Sequence, residues 1–190
     1  AAIVLGTVLL SLPRATTDLR GASIEDALFT AASATCVTGL VVANTGDDGL
    51  GDPALPTFAL FGQIVILLLI QAGGLGIMTV SATGAAMLAG GKISLRERSV
   101  LANVLGEGSP MSAMSMLRRI IAMSLVFEIA GAAVLTLRFL PLFPDAPGRA
   151  AWYGVFHAVS AFCNAGFSLF GRNLVDFRTD PIVNLTIGSL

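Results

Sequence analysis

Between Asp52 and Lys92 the chain runs for 39 residues without one formal charge, including "FGQIVILLLIQAGGLGIMTV". A helix that crosses a bilayer needs about 20 predominantly apolar residues to match a hydrocarbon core of about 30 Å. This run exceeds that length, and buried helices of large soluble proteins are rarely so long and so free of charge. It predicts an integral membrane protein. Only 12% of the 190 residues are charged, against about 25% in a soluble domain. A second span is readable at 119–140, "RIIAMSLVFEIAGAAVLTLRFL". Residues 1–13 read as the end of another span, and "PIVNLTIGSL" at 181–190 as the first turns of a fourth. The opening has no basic n-region and no clean cleavage site, which argues against a signal peptide. The chain is therefore expected to be a piece of a longer architecture.

Charge orients it. From 91 to 119 five basic residues (Lys92, Arg96, Arg98, Arg118, Arg119) stand against Glu97 and Glu107, while the segments on the other side are acidic, with Asp47, Asp48 and Asp52 among them. An excess of Lys and Arg in short loops marks the cytoplasmic face, so 91–119 is expected inside. A net charge of −1 predicts no nucleic-acid surface. No Ser/His/Asp or paired-carboxylate arrangement has catalytic spacing, which disfavours an enzyme. Cys36 and Cys163 belong to no CxxC pair and are expected to pack as small hydrophobes rather than bind zinc.

Two stretches repeat each other at an offset of 127: "FTAASATCVTGLV" at 29–41 and "FHAVSAFCNAGFS" at 156–168. Phe29, Ala31, Ser33, Ala34, Cys36 and Gly39 meet Phe156, Ala158, Ser160, Ala161, Cys163 and Gly166. Two spans separate the copies, so both enter from the outer side in the same sense, unlike the inverted repeats of many transporters. Residues 24–34 have helix-compatible composition, with Ser23 as N-cap and Glu25 and Asp26 in the first turn. Eleven residues reach only about 16 Å, half a bilayer; the second copy behaves alike from Ala150 to Ala161. Each short helix is followed by a few residues ending in glycine and then a return to the outer side, the plan of a re-entrant loop. Non-helical backbone at membrane depth must be buried in protein or line a watery cavity, and a ring of carbonyl oxygens can replace a cation's hydration shell. The negative ends of the short helices favour a cation at the same place. Small-residue helix packing is the competing reading; the matched repeat, equal sense and half-span length favour the pore loop.

These residues, "DALFTAASATCVTGL", "FGQIVILLLIQAGGLGIMT" and "FHAVSAFCNAGFSLF", closely resemble the pore subunit of the Trk/Ktr/HKT potassium transporters, over nearly the whole chain. The resemblance implies an all-α polytopic protein of four membrane helix–pore loop–membrane helix repeats, of which about one and three-quarters are present. It implies Val37, Thr38 and Gly39 as the first filter segment and Asn164, Ala165 and Gly166 as the second, binding K⁺ by backbone carbonyls and needing no organic cofactor. Glycine at both 39 and 166 favours K⁺, because relatives with serine at the first filter glycine are associated with Na⁺. The resemblance also implies an inner or plasma membrane location, a homodimer, a cytosolic nucleotide-binding regulatory subunit and two further repeats on residues beyond these. The family's gating loop and its neighbouring basic residue have no counterpart in 1–190. The expected organisation is a first repeat at 1–91, a cytoplasmic connector at 92–118 and a second repeat at 119–190.

Smaller signals remain. "GGLG" at 73–76 lies within the charge-free run and is read as a close-packing or kinking site rather than a phosphate loop. Glu128 is the one ionisable residue well inside a span, a functional candidate by default, read here as a hydrogen-bonded structural residue. His157, opposite Thr30, is read as packing or capping rather than pH sensing. Two rival functions stand: a Na⁺ or K⁺/Na⁺ transporter on this scaffold, with Glu128 in the pathway, and a non-conducting membrane scaffold or sensor.

Overall fold

The computed structural model describes residues 1–46, 57–89 and 110–190. Among these the chain is helical and has no strand, only isolated bridges between Thr16 and Phe58 and between Asn44 and Thr57. The α-helices are α1 (Ala2–Leu10), α2 (Ile24–Cys36), α3 (Leu60–Ala89), α4 (Pro110–Phe139), α5 (Pro147–Phe162) and α6 (Pro181–Ser189). Prolines open α4, α5 and α6, where a fixed φ and a missing N–H cost nothing. For that reason α4 begins at Pro110 rather than at 119, and α5 at Pro147 rather than at Ala150. Residues 110–118, expected in the connector, are the first turns of α4. The rest of that connector, with Lys92, Arg96 and Arg98, lies outside the described residues, as do Asp47, Asp48 and Asp52.

Two compact units can be separated, 1–74 with 127–190, and 75–126. The first holds both copies of the repeat. In it α1 packs on α2, and Gly6 of α1 is pressed so closely between Ala31 and Leu69 that a Cβ there would lie 3.1 Å from the Ala31 Cβ. Gly154 lets α5 approach Thr136 and the Ala132 carbonyl of α4, and Gly131 sits under Leu190, just past the end of α6. Each copy thus has its short helix packed on neighbouring helices, α2 on α1 and α5 on α4. The core between them is apolar, with Leu10, Phe58, Ile66, Ile70, Leu135, Phe139, Phe156 and Leu169 buried.

The outer surface inverts the usual pattern of a water-soluble domain. The stretch Arg118–Leu142 is long and apolar enough to cross a membrane, and it exposes Met123, Leu125, Val126, Phe127, Ile129, Val134 and Leu137 while burying Ser124 and Glu128. Apolar groups outside and polar groups inside suit hydrocarbon as the solvent. The chain is a membrane protein.

Candidate functional site

The N-terminus of α2 is built by Ser23, whose Oγ accepts from the Asp26 amide at 3.1 Å and donates to the Asp26 carboxylate at 2.7 Å. Glu25 and Asp26 complement the positive end of the helix. The helix has 13 residues, about 20 Å; α5 has 16, about 24 Å. Both exceed the half-bilayer expectation and both stop short of a full crossing.

The two C-termini are the same structure. In the first, Val37 turns left-handed at φ 57°, its amide donating to the Ala34 carbonyl at 3.3 Å and the Thr38 amide to the Ser33 carbonyl at 3.0 Å. In the second, Asn164 turns left-handed at φ 59°, its amide donating to Ala161 at 2.8 Å and the Ala165 amide to Ser160 at 2.7 Å. This is the Schellman pairing that satisfies orphan carbonyls at a helix end. Two residues on, Gly39 and Gly166 are again left-handed, at φ 73° and 72°, where a side chain would be strained. Through the second turn burial alternates, with Cys163, Ala165 and Phe167 buried and Asn164 and Gly166 exposed.

The segments meet. A Cβ on Gly39 would lie 2.6 Å from the Ala165 carbonyl oxygen and 3.2 Å from the Gly166 Cα. Of the residues expected in the filter, Gly39 faces Ala165 and Gly166, and Val37 matches Asn164 in backbone conformation.

The "QAGG" stretch of α3 supports this pair from behind. Gly73 touches the backbone of Thr35, and Gly74 touches Cys163, whose Sγ would be 2.6 Å from an added Cβ. A close-packing role for Gly73 and Gly74 is what the structure shows; a Cβ added at Gly76 would meet nothing within 4 Å among the described residues. Gln71 donates to Glu128 at 2.9 Å and accepts from the Cys163 thiol at 3.7 Å, so Glu128 is a hydrogen-bonded buried residue. Cys163 is buried as expected, but Cys36 is exposed: the glycine that covers Cys163 has no counterpart over its twin among the described residues.

His157 bridges α5 to the outgoing segment. Nδ1 lies 2.7 Å from the Tyr153 carbonyl and Nε2 2.9 Å from the Ser168 hydroxyl. A carbonyl only accepts, so Nδ1 carries the proton and Nε2 receives one from Ser168. The ring packs edge-on to Phe139 at 5.7 Å, a packing role. Its counterpart Thr30 is buried, and its hydroxyl has no partner among the described residues. Sequence reasoning did not single out Ser33, Ser160 or Gln71; the serines were visible as identities in the repeat, and the glutamine as one of two amides, with Gln63, in an apolar run.

A family model for TrkH, described as a cation transport protein, matches residues 4–190. The chain is 42% identical over 185 residues to a Ktr system potassium uptake protein B of Bacillus subtilis (strain 168), covering 97% of this chain and 38% of that protein. It is 39% identical over 183 residues to the protein of that description in Vibrio alginolyticus, covering 96% and 37%. It is 36% identical over 188 residues to a potassium/sodium uptake protein, NtpJ, of Enterococcus hirae, covering 99% and 39%. The chain thus spans well under half the length of these relatives.

Proposed function

The chain belongs to the TrkH cation transport family, and from that premise we propose that it contributes two of the filter segments of a K⁺ uptake pore. The observation that carries this reading is the convergence of two identical left-handed turns, Val37–Gly39 and Asn164–Gly166, at the ends of two helices too short to span. Backbone of this kind needs a partner for its carbonyls, and a dehydrated monovalent cation supplies one. Each short helix adds the negative end of its dipole toward the same place. K⁺ would enter from the outer side and move down its electrochemical gradient, losing water to the carbonyls and regaining it inside. Coordination by main chain explains why valine and asparagine can serve at equivalent positions.

Two segments do not close a ring. The remaining two repeats are assigned to the part of the relatives' length that this chain does not span, and with them the gate. The repeats at 1–91 and 119–190 are re-entrant units in this reading, joined by a cytoplasmic connector. A homodimer of pore subunits, a cytosolic nucleotide-binding partner and a location in the inner or plasma membrane complete it.

The potassium/sodium name of one relative favours a second reading, in which Na⁺ also passes. Uptake of each ion alone by the full-length protein, in cells lacking their own K⁺ uptake, separates the two. Gly39→Ser tests the filter itself: a side chain there meets the Ala165 carbonyl and drives the two segments apart. We expect K⁺ over Na⁺ discrimination to fall by about tenfold, the effect of roughly 1.4 kcal/mol. Unchanged discrimination sinks the assignment of these residues, and no flux at all favours a scaffold.

A further inference from the structure

We propose that Ser33 and Ser160 are paired positioning residues that set where the ion-coordinating backbone stops. The inference rests on the filter reading above and adds to it residues outside the filter.

Both serines are buried, at 5% and 3% exposure, and both make the same pair of bonds at the 127-residue offset. The Ser33 hydroxyl donates to the Leu40 carbonyl at 2.7 Å while its own carbonyl receives the Thr38 amide at 3.0 Å. The Ser160 hydroxyl donates to the Phe167 carbonyl at 2.7 Å while its own carbonyl receives the Ala165 amide at 2.7 Å. Each serine therefore grips the outgoing segment on both sides of its glycine. Between the two grips lie only residues 38–40 and 165–167, so the conformation of Gly39 and Gly166 is pinned at both ends.

The hydroxyl bonds decide more than rigidity. A carbonyl engaged by a serine on the short helix is turned toward that helix, and its oxygen is occupied. Leu40 and Phe167 are thus removed from the set of oxygens open to a cation, and that set ends at Gly39 and Gly166. In the first copy Thr38 Oγ1 donates to Ser33 Oγ at 2.9 Å, which leaves the serine proton committed to Leu40. Ala165 stands at the matching place in the second copy and supplies no such bond.

Removing either hydroxyl frees one carbonyl next to the last coordinating glycine, in one segment of the ring only. The number and direction of oxygens around the cation then change, which is a change in discrimination as well as in affinity. The experiment uses the full-length protein in K⁺-uptake-deficient cells, with Ser33→Ala, Ser160→Ala, Ser33→Cys, Ser160→Cys and, beside them, Gly39→Ser and Ser124→Ala. Ser124 is a buried hydroxyl bonded within its own helix, to the Ile120 carbonyl at 2.9 Å, and controls for loss of any buried hydroxyl. Initial rates over a range of K⁺ and of Na⁺ give KM and maximal rate for each ion, normalised to protein in the membrane.

Each alanine is expected to raise KM for K⁺ and lower K⁺ over Na⁺ discrimination by about tenfold, the upper range for one hydrogen bond. The maximal rate per protein stays near wild type, as does everything about Ser124→Ala. The thiol, a near-isosteric weak donor, gives an intermediate shift; it carries the test for any alanine variant that fails to accumulate. Unchanged KM and discrimination in the alanine variants, or in the cysteine variants where those alone accumulate, overturns the proposal. So does a loss that follows protein amount alone. If Gly39→Ser shifts discrimination and the serine variants do not, only this inference falls; if Gly39→Ser is silent too, the filter reading falls with it.

Discussion

A β-branched residue in the left-handed region carries a cost of about 1–2 kcal/mol, and Val37 carries it where Asn164, a residue that tolerates this region, does not. The same turn is therefore strained in one copy and relaxed in the other. Val37→Asn should make the first copy resemble the second, raising thermal stability of the purified protein by up to about 1 kcal/mol less the packing lost, since Val37 is partly buried against the core. Because the main chain does the coordinating in our reading, discrimination between K⁺ and Na⁺ should survive that substitution. The two filter glycines should differ in the opposite way. Both are left-handed, but a Cβ on Gly39 collides with the Ala165 carbonyl while one on Gly166 reaches only an ordinary 3.4 Å contact with the Gly39 Cα. Gly39→Ala should accordingly reduce K⁺ uptake more than Gly166→Ala, measured as KM in the same cells. The glycines were legible in the sequence because they end matching repeats. The turn at Val37 was not, since its residue type argues against the conformation and only the asparagine of the second copy hints at it. The serines could be read as identities but not as clamps: a hydroxyl's target seven residues ahead is decided by the turn between them.

At the level of elements, α3 holds the two short helices through a single motif. Gly73 and Gly74 bring it against Thr35 and Cys163, and one turn earlier Gln71 ties Glu128 to the Cys163 thiol. Gln71→Leu removes the donor that satisfies a buried carboxyl group. An unsatisfied group of that kind costs about 1–3 kcal/mol or more, so less protein should accumulate and its melting temperature should fall. Glu128→Gln, which keeps a hydrogen-bonding side chain of the same shape, should lose less; equal losses would argue that Glu128 acts in transport and not in support. Outside the membrane helices, Asp180 caps α6 through the Ile182 and Val183 amides and pairs with Arg138 at 2.6 Å. Burial by itself pushes its carboxyl up, but the amide bonds and the guanidinium outweigh this and leave it below the ordinary value. A lowered carboxyl stabilises the fold above the ordinary carboxylate range, near about pH 4, and that contribution disappears as pH falls through the folded value. Melting followed from neutral to acid should therefore show a drop that Asp180→Asn lacks. The helices themselves were largely legible, because long apolar runs and flanking prolines write their own limits. Their starts were misplaced where a proline at the first helical position, Pro110 or Pro147, was read as lying outside the helix.

On the scale of the whole molecule, the direction of the chain follows from charge and from the parity of crossings. In the proposed reading Lys92, Arg96 and Arg98, which lie between two apolar stretches of the sequence, are assigned to the cytoplasm by the excess of positive charge. The same reading, with an even number of crossings, predicts that Arg20, before the first short helix, and Asp145, before the second, share the outer side. Single cysteines make this testable. In a Cys36→Ala background, with Cys163 left in its buried place, Arg20→Cys and Asp145→Cys should react with a membrane-impermeant maleimide added to intact cells. Lys92→Cys should react only after the membrane is opened. Labelling of one outer site but not the other would mean that the copies enter from opposite faces. The two left-handed turns could not then be neighbouring parts of one ring, because a ring of like segments requires that all enter in one sense. The match at the 127-residue offset joins with the contact between Gly39 and Gly166 only under the parallel arrangement, so topology decides whether the repeated turns belong to one ion path.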